Sequence, residues 1–135
     1  MTSEKKGYLL DTHTLLWWLF DSPKLSKIAR DIIGNPENRI LVSSASGWEM
    51  ATKHRLGKLQ GASEVLKDLP GLLRKARMQT LDIQLEHALK AGFLPGPHRD
   101  PFDRMIVAQG HMEGLPVVTD DAAFEAYTAY VQVVW

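Results

Sequence analysis

No cysteine occurs anywhere in the chain. That excludes disulfides, a thiolate zinc site and a cysteine nucleophile, and it agrees with a reducing compartment, so the cytoplasm is the expected location. Long apolar runs are missing too. The longest, Leu15 to Phe20, has six residues, well short of the roughly 20 that span a bilayer. The opening MTSEKKG carries charge but no apolar segment ahead of a small-residue cleavage site, which argues against a secretory signal. An excess of one charge is also lacking. Sixteen basic and sixteen acidic residues cancel, which counts against a protein that coats nucleic acid by bulk electrostatics. It does not count against a nuclease, because acidic metal ligands subtract from the total and a local basic patch still guides a polyanion. Internal repeats, low-complexity tracts and linkers are absent as well. A chain of 135 residues is therefore read as one domain, residues 1–135.

What is present is an alternation of short apolar strands with helical stretches. Tyr8-Leu9-Leu10, Arg39 to Val42, residues 79–83, Pro116 to Thr119 and Val131 to Val134 read as strands. Helices are expected over 14–20, 25–33, 44–56, 62–77 (bent or divided at Pro70-Gly71), 84–91, 101–113 and 124–129. Such alternation predicts an α/β fold, a three-layer α/β/α sandwich around a mainly parallel sheet, since right-handed crossovers put helices on both faces.

Residues 98–110, HRDPFDRMIVAQG, pose a question that this topology helps to answer. Asp100 followed by Pro101 is an N-cap and first-turn pair, and Asp103 falls in the first turn, where negative charge is favoured. Read locally, both aspartates serve the helix. In a parallel sheet, however, the carboxyl ends of the strands form one ligand-binding edge. Asp11 ends the first predicted strand, Glu49 lies early in the helix after the second, and Asp120-Asp121 ends the fourth. Asp103 joins them if its helix start packs beside the first strand, and Ile106 and Val107 at i+3 and i+4 put it at the end of a buried face. Four gathered carboxylates raise one another's pKa, and a divalent cation relieves them. Oxygen donors suit Mg²⁺ or Mn²⁺, either of which activates water against a phosphodiester.

The stretches LLDTHTLLWW, SSASGWEMATKHRLGKL, HRDPFDRMIVAQ and LPVVTDDAAFEAY resemble the successive signatures of PIN-domain ribonucleases, and more narrowly of VapC-type toxins of toxin–antitoxin pairs. The resemblance runs from about Leu9 to Trp135. It implies an endoribonuclease whose metal-binding quartet is Asp11, Glu49, Asp103 and Asp121, with the Thr119 hydroxyl in the site. It selects Asp121 over Asp120, which is an acidic stand-in, and leaves Asp100 as the cap. An antitoxin partner that blocks the acidic pocket, and a homodimer, are implied in the same way.

Around this set, Arg99, Arg104 and the cluster Lys53, His54, Arg55 and Lys58 are candidates to meet substrate phosphates, and His13 to reach the site. The run Leu15 to Phe20 is apolar on every side, so its helix is either wholly buried or covered by a second chain. Two other readings compete. An aspartate-nucleophile phosphatase would need a second Asp two residues after Asp11, where His13 stands. A non-catalytic PIN-like module that binds RNA or protein would lack an acid, yet all four are present. Cleavage of DNA is not distinguished from that of RNA, because an acidic metal site does not read the 2′-OH.

Overall fold

The computed structural model describes residues 5–135. Its centre is a five-stranded sheet in the order β3-β2-β1-β4-β5. The strands are β1 (Gly7–Leu10), β2 (Arg39–Ser43), β3 (Gln79–Leu81), β4 (Val117–Val118) and β5 (Val133–Val134). Every neighbouring pair runs parallel. The helices are α1 (Thr12–Leu19), α2 (Lys27–Gly34), α3 (Ser44–Arg55), α4 (Ala62–Lys67), α5 (Leu69–Lys75), α6 (Leu85–Phe93) and α7 (Pro101–Glu113), with a 3-10 helix at Ala122–Tyr127.

Alternate side chains of a strand point to opposite faces, and here both faces are buried. Leu9, Leu41 and Val117 share one core with Ala91, Ile106, Val107, Phe124 and Tyr127. Leu10, Ile40, Val42 and Val118 share the other with Leu15, Leu16, Ala29, Ile33, Met50 and Leu73. The sheet is thus the middle of three layers, as the alternation predicts.

Boundaries shift where side chains take over backbone bonds. Helix α1 starts at Thr12, two residues before the expected point, because the Asp11 carboxylate caps it by accepting from Thr14 N–H at 2.7 Å. The break in the 62–77 segment falls at Asp68 and not at Pro70-Gly71. Asp68 caps α5 by accepting from Gly71 N–H at 3.0 Å, and Pro70 then sits in the first turn, where proline is tolerated. Strand β3 stops at Leu81 because the Gln109 side-chain amide takes the carbonyl of Asp82 at 3.2 Å. The last predicted helix is a 3-10 segment capped by Asp121.

The run Leu15 to Phe20 meets neither extreme. Leu15 and Leu16 are buried, Trp17 to Leu19 are half-buried, and Phe20 is exposed. Trp17 stands edge-on to Trp135, with ring centroids 5.7 Å apart.

Helix α7 lies tight on the sheet. A Cβ built on Gly110 would come within 3.0 Å of the Leu115 carbonyl and of Val131 Cγ1. Glycine permits this close approach of the end of α7 to β4 without displacing either neighbour. Arg77 is the opposite case: it follows α5 with φ 59, its N–H on Arg74 O at 3.0 Å and Met78 N–H on Leu73 O at 2.9 Å. This is a helix-ending turn in which glycine is usual, and a side chain there costs about 1 kcal/mol.

Candidate active site

Three parallel strands deliver their carboxyl ends side by side. Asp11 follows β1, Ser43 caps α3 after β2, and Thr119 follows β4. Asp11 is 3% exposed, and its two oxygens are fully engaged. One accepts from Thr14 N–H, the other from the Thr119 hydroxyl. Thr14 Oγ in turn donates to Val118 O at 2.8 Å, which ties the start of α1 to β4. Burial pushes the Asp11 carboxyl up, against the opposing pull of the Thr119 and Thr14 bonds and the nearby charge of His13.

Glu49 is 2% exposed on the second turn of α3. Thr12 Oγ donates to its Oε1 at 2.6 Å, and Ser46 Oγ lies 2.9 Å from the same threonine hydroxyl. The other carboxylate oxygen, Oε2, receives the Lys53 ammonium from one turn later. Partial burial pulls the Lys53 ammonium down, but the bond to Glu49 and the fields of Glu49, Asp100 and Asp103 outweigh it and hold it above the usual lysine range.

Asp103 stands in the first turn of α7. Asp100 caps that helix, accepting from Phe102 N–H at 2.9 Å and from Asp103 N–H at 3.2 Å. The Asp103 carboxylate is free of capping work and pairs with His98 Nε2 at 2.9 Å. Burial pushes its pKa up to about 6, helped by the charges of Asp100, Glu49 and Asp121 and opposed by the His98 bond. The sequence question therefore divides between the two aspartates: Asp100 holds the helix, and Asp103 belongs to an acidic neighbourhood.

Asp121 is exposed, accepts from Ala123 N–H at 2.9 Å, and has its own N–H held by Thr119 Oγ at 3.0 Å. Of the adjacent pair, Asp121 is the one tied to Thr119, and its charge is among those that raise Asp103. Thr119 thus joins Asp11 to Asp121, Thr12 joins the Asp11 segment to Glu49, and charge joins Glu49 and Asp121 to Asp103. Among the described residues, no group of three His, Cys, Asp or Glu side chains is arranged to hold a metal ion as it stands. The donor chemistry nevertheless fits a hard divalent cation: four carboxylates and a threonine hydroxyl, with Asp103 raised by burial and by its acidic neighbours and an ammonium already drawn onto Glu49.

Several expectations change. Arg104 does not point its guanidinium at the acids for a substrate phosphate. It donates to the carbonyls of Ala91 (3.0 Å), Gly92 (3.3 Å), Leu94 and His98 (3.1 Å) and to the Tyr127 hydroxyl (3.2 Å). Those bonds hold the loop that carries His98 to Asp103. His13 is exposed and leans on Trp17, with ring centroids 6.0 Å apart. Of the basic cluster only Lys53 turns to the acids, whereas His54, Arg55 and Lys58 are exposed. Arg99 is exposed beside Gly96, Pro97 and His98 on the rim of a cavity. Thr12, Ser46 and His98 are site neighbours that the sequence reading missed. Thr12 and Ser46 carried a weak signal, being hydroxyls one residue after Asp11 and three before Glu49. His98 carried none, since its pairing depends on the Arg104-braced loop.

Comparisons with known proteins bear on the fold and the family. The PIN domain family matches residues 8–129. The chain is 31% identical over 120 residues to ribonuclease VapC22 of Mycobacterium tuberculosis, a match spanning 88% of this chain and 90% of that protein. Its fold resembles VapBC2 of Rickettsia felis, solved bound to a DNA fragment from its promoter, with TM-score 0.67 and 17% identity over 95% of this chain and 97% of that one. It also resembles DNA-bound VapBC of Salmonella typhimurium, with TM-score 0.65 and 20% identity over 96% and 97%. VapBC-5 of Mycobacterium tuberculosis, from a family of toxin-antitoxin systems, gives TM-score 0.59 and 18% identity over 95% of both chains. The chain belongs to the PIN-domain family, in its VapC branch.

Proposed function

We propose that this protein is a metal-dependent endoribonuclease, the toxin of a toxin–antitoxin pair, and that Asp11, Glu49, Asp103 and Asp121 hold Mg²⁺ or Mn²⁺ with Thr119 in support. The observation that carries this reading is the linkage of the acids at one sheet edge. Thr119 bridges Asp11 and Asp121, and Thr12, next to Asp11, binds Glu49. Burial raises the Asp103 carboxyl, which lies close enough to Glu49 and Asp121 for their charges to add to the rise. A cation at that place relieves the repulsion. When bound, such an ion supplies a water of lowered pKa and neutralises the phosphate oxygens. The chain's own residues do the positioning. Thr119 orients Asp11, Thr12 and Lys53 hold the two oxygens of Glu49, and His98 holds Asp103. No histidine base is required, and the exposed Arg99, next in the chain to His98, is proposed to meet a substrate phosphate.

RNA as substrate rests on the ribonuclease relative, and an antitoxin partner on the toxin–antitoxin complexes among structures of the same fold. The half-buried Trp17 and Trp18 and exposed Phe20 suit the grip on that partner. Pairing of two copies is supported by Leu85, Leu89 and Phe93, which line up at i, i+4 and i+8 and are exposed along α6. No helix among the described residues is long and apolar enough to cross a membrane. We assign the protein to the cytoplasm, with its RNA.

The test is cleavage of a labelled single-stranded RNA by wild type and by Asp103→Asn, with Mg²⁺, Mn²⁺ or EDTA, alongside the melting temperature of each. Metal-dependent cutting that vanishes in a folded Asp103→Asn is the expected result. Equal cutting by both proteins would assign the activity to a contaminant.

A further inference from the structure

A second cavity, opposite in charge, lies at the other end of the sheet. Strands β1, β2 and β3 begin at Gly7, Arg39 and Gln79, so the residues leading into them gather at the end remote from Asp11 and Thr119. There Lys5, Arg39, Lys75 and Arg77 line a cavity of about 490 Å³, with Trp18 in its wall and, among the described residues, no Asp or Glu in its lining. In a chain of formal net charge zero, this local imbalance is conspicuous. Four basic residues elsewhere meet acids, in Lys27–Asp31, Arg30–Asp21, Lys53–Glu49 and Lys67–Glu64. Other exposed ones such as Arg55 and Lys58 stand apart from one another along a helix end, whereas here four converge on one hollow. Arg39, Lys75 and Arg77 enter no ion pair among the described residues.

The cavity is also built. Lys5 Nζ donates to Pro36 O at 3.2 Å, and Arg39 N–H donates to Lys6 O at 2.7 Å, which fixes the chain entry against the 35–38 turn. The Asn38 side-chain amide holds Ile32 O at 2.9 Å and so fixes the far side of that turn. Arg77 keeps a left-handed backbone that glycine would adopt without strain. The cost brings one more guanidinium to the wall.

We propose that this cavity binds phosphate esters. Guanidinium forks match phosphate oxygens two at a time, and a ring such as Trp18 offers an apolar face to a sugar or base. The volume falls within the roughly 300–1,000 Å³ of compact ligand sites. The clustered positive charge disfavours a metal cation. The phosphate has two possible sources, a stretch of RNA strand away from the cleaved bond or a free nucleotide. The binding does not depend on cleavage at the acidic edge.

The test uses the full chain carrying Asp103→Asn, so that RNA stays intact whatever the wild type does. Probes are a fluorescein-labelled single-stranded RNA decamer, AMP and inorganic phosphate, read by anisotropy and calorimetry. Arg39→Gln/Arg77→Gln is expected to weaken the decamer or AMP at least tenfold. If the strand is the ligand, the slope of log K against log salt falls by about 1.4, at roughly 0.7 per lost phosphate contact. Loss of AMP binding identifies a free nucleotide as the source, and loss confined to the decamer identifies the strand. Arg77→Gly keeps the fold out of the question: its melting temperature is expected to match or exceed that of the parent while binding still weakens. The proposal is overturned if both variants bind all three probes as the parent does. It is equally overturned if an acidic peptide competes as well as the decamer while AMP and phosphate do not bind.

Discussion

Lys53 places its ammonium on Glu49, a glutamate one turn earlier on the same helix whose side chain is 3% exposed while that of Lys53 is 32% exposed. A buried carboxylate and a half-exposed lysine are unequal partners. Glu49 needs a counter-charge, whereas Lys53 has water as an alternative. The lysine therefore stands where a divalent ion would relieve the same acid.

Replacing that lysine tests the idea. Lys53→Met is expected to destabilise the metal-free protein by about 1–2 kcal/mol, less than a fully buried pair because Lys53 is partly solvated. Mg²⁺ should then raise the melting temperature of the variant more than that of the wild type. Equal Mg²⁺ shifts in differential scanning fluorimetry, against EDTA controls, would sink the assignment of Glu49 as a ligand.

Asp103 predicts a pH dependence with a definite sign. The folded protein holds this carboxyl above its ordinary 3.8, at about 6, so between those values it keeps a proton that the unfolded chain has lost. Stability from this group is complete below about pH 4 and is lost as pH rises through about 6. In EDTA, Asp103→Asn should flatten that part of the melting curve against pH and melt higher than wild type at pH 7. Asp11, also raised by burial, leaves a residual slope of the same sign. At Mg²⁺ below saturation, cleavage by wild type should rise with pH, because the proton on Asp103 competes with the ion, and saturating Mg²⁺ should move that rise to lower pH. A slope identical in both proteins would contradict the assignment.

Arg104 is expected to matter through the loop it braces. Arg104→Met frees the carbonyls of Ala91, Leu94 and His98, and the loss should come to about 2–3 kcal/mol. Lysine cannot reproduce the planar fork, so Arg104→Lys should recover little. Denaturant melts of the two variants decide this. Near-wild-type stability of Arg104→Lys would show that charge alone is needed.

Gly110→Ala probes the seating of α7. The added methyl meets the Leu115 carbonyl at 3.0 Å and Val117 Cγ2 at 3.2 Å, contacts relieved only by a shift of a few tenths of an ångström between helix and sheet. A loss of about 1–3 kcal/mol is expected, together with at least tenfold lower cleavage as Asp103 moves with its helix. Full activity in a destabilised variant would separate the seating of α7 from the site.

The features legible in the sequence were those governed by near neighbours. Asp100-Pro101 announced the start of α7 to the residue, because a cap and a first-turn proline act within one turn. The alternation of Leu9 and Leu10, or Ile40, Leu41 and Val42, announced strands buried on both faces. Two boundaries moved because a local cap was misjudged, Asp11 at α1 and Asp68 at α5, and one because a distant group, Gln109 on α7, takes the carbonyl that follows β3. Asp11 was legible as an acid at a strand end, but its double engagement by Thr14 and by Thr119, 108 positions away, was not. Arg104 looked like a phosphate ligand because a charge beside a proposed metal ligand reads that way locally. Its five partners lie 6 to 23 positions off, and only the closed loop brings them within reach.

The sequence alone determined the layer architecture, the family and which acids stand at strand ends and helix starts, since periodicity and capping act over a few residues and err by only one or two positions. Tertiary structure decided what each polar group does. It turned Lys53 onto Glu49, set His98 against Asp103, withdrew Arg104 into a brace and gathered Lys5, Arg39, Lys75 and Arg77 around one cavity. The reason is range. A strand or a cap is fixed by residues a few positions away, but the partner of a charge is whichever group the folded chain carries within about 4 Å of it, and separation along the sequence does not set that distance.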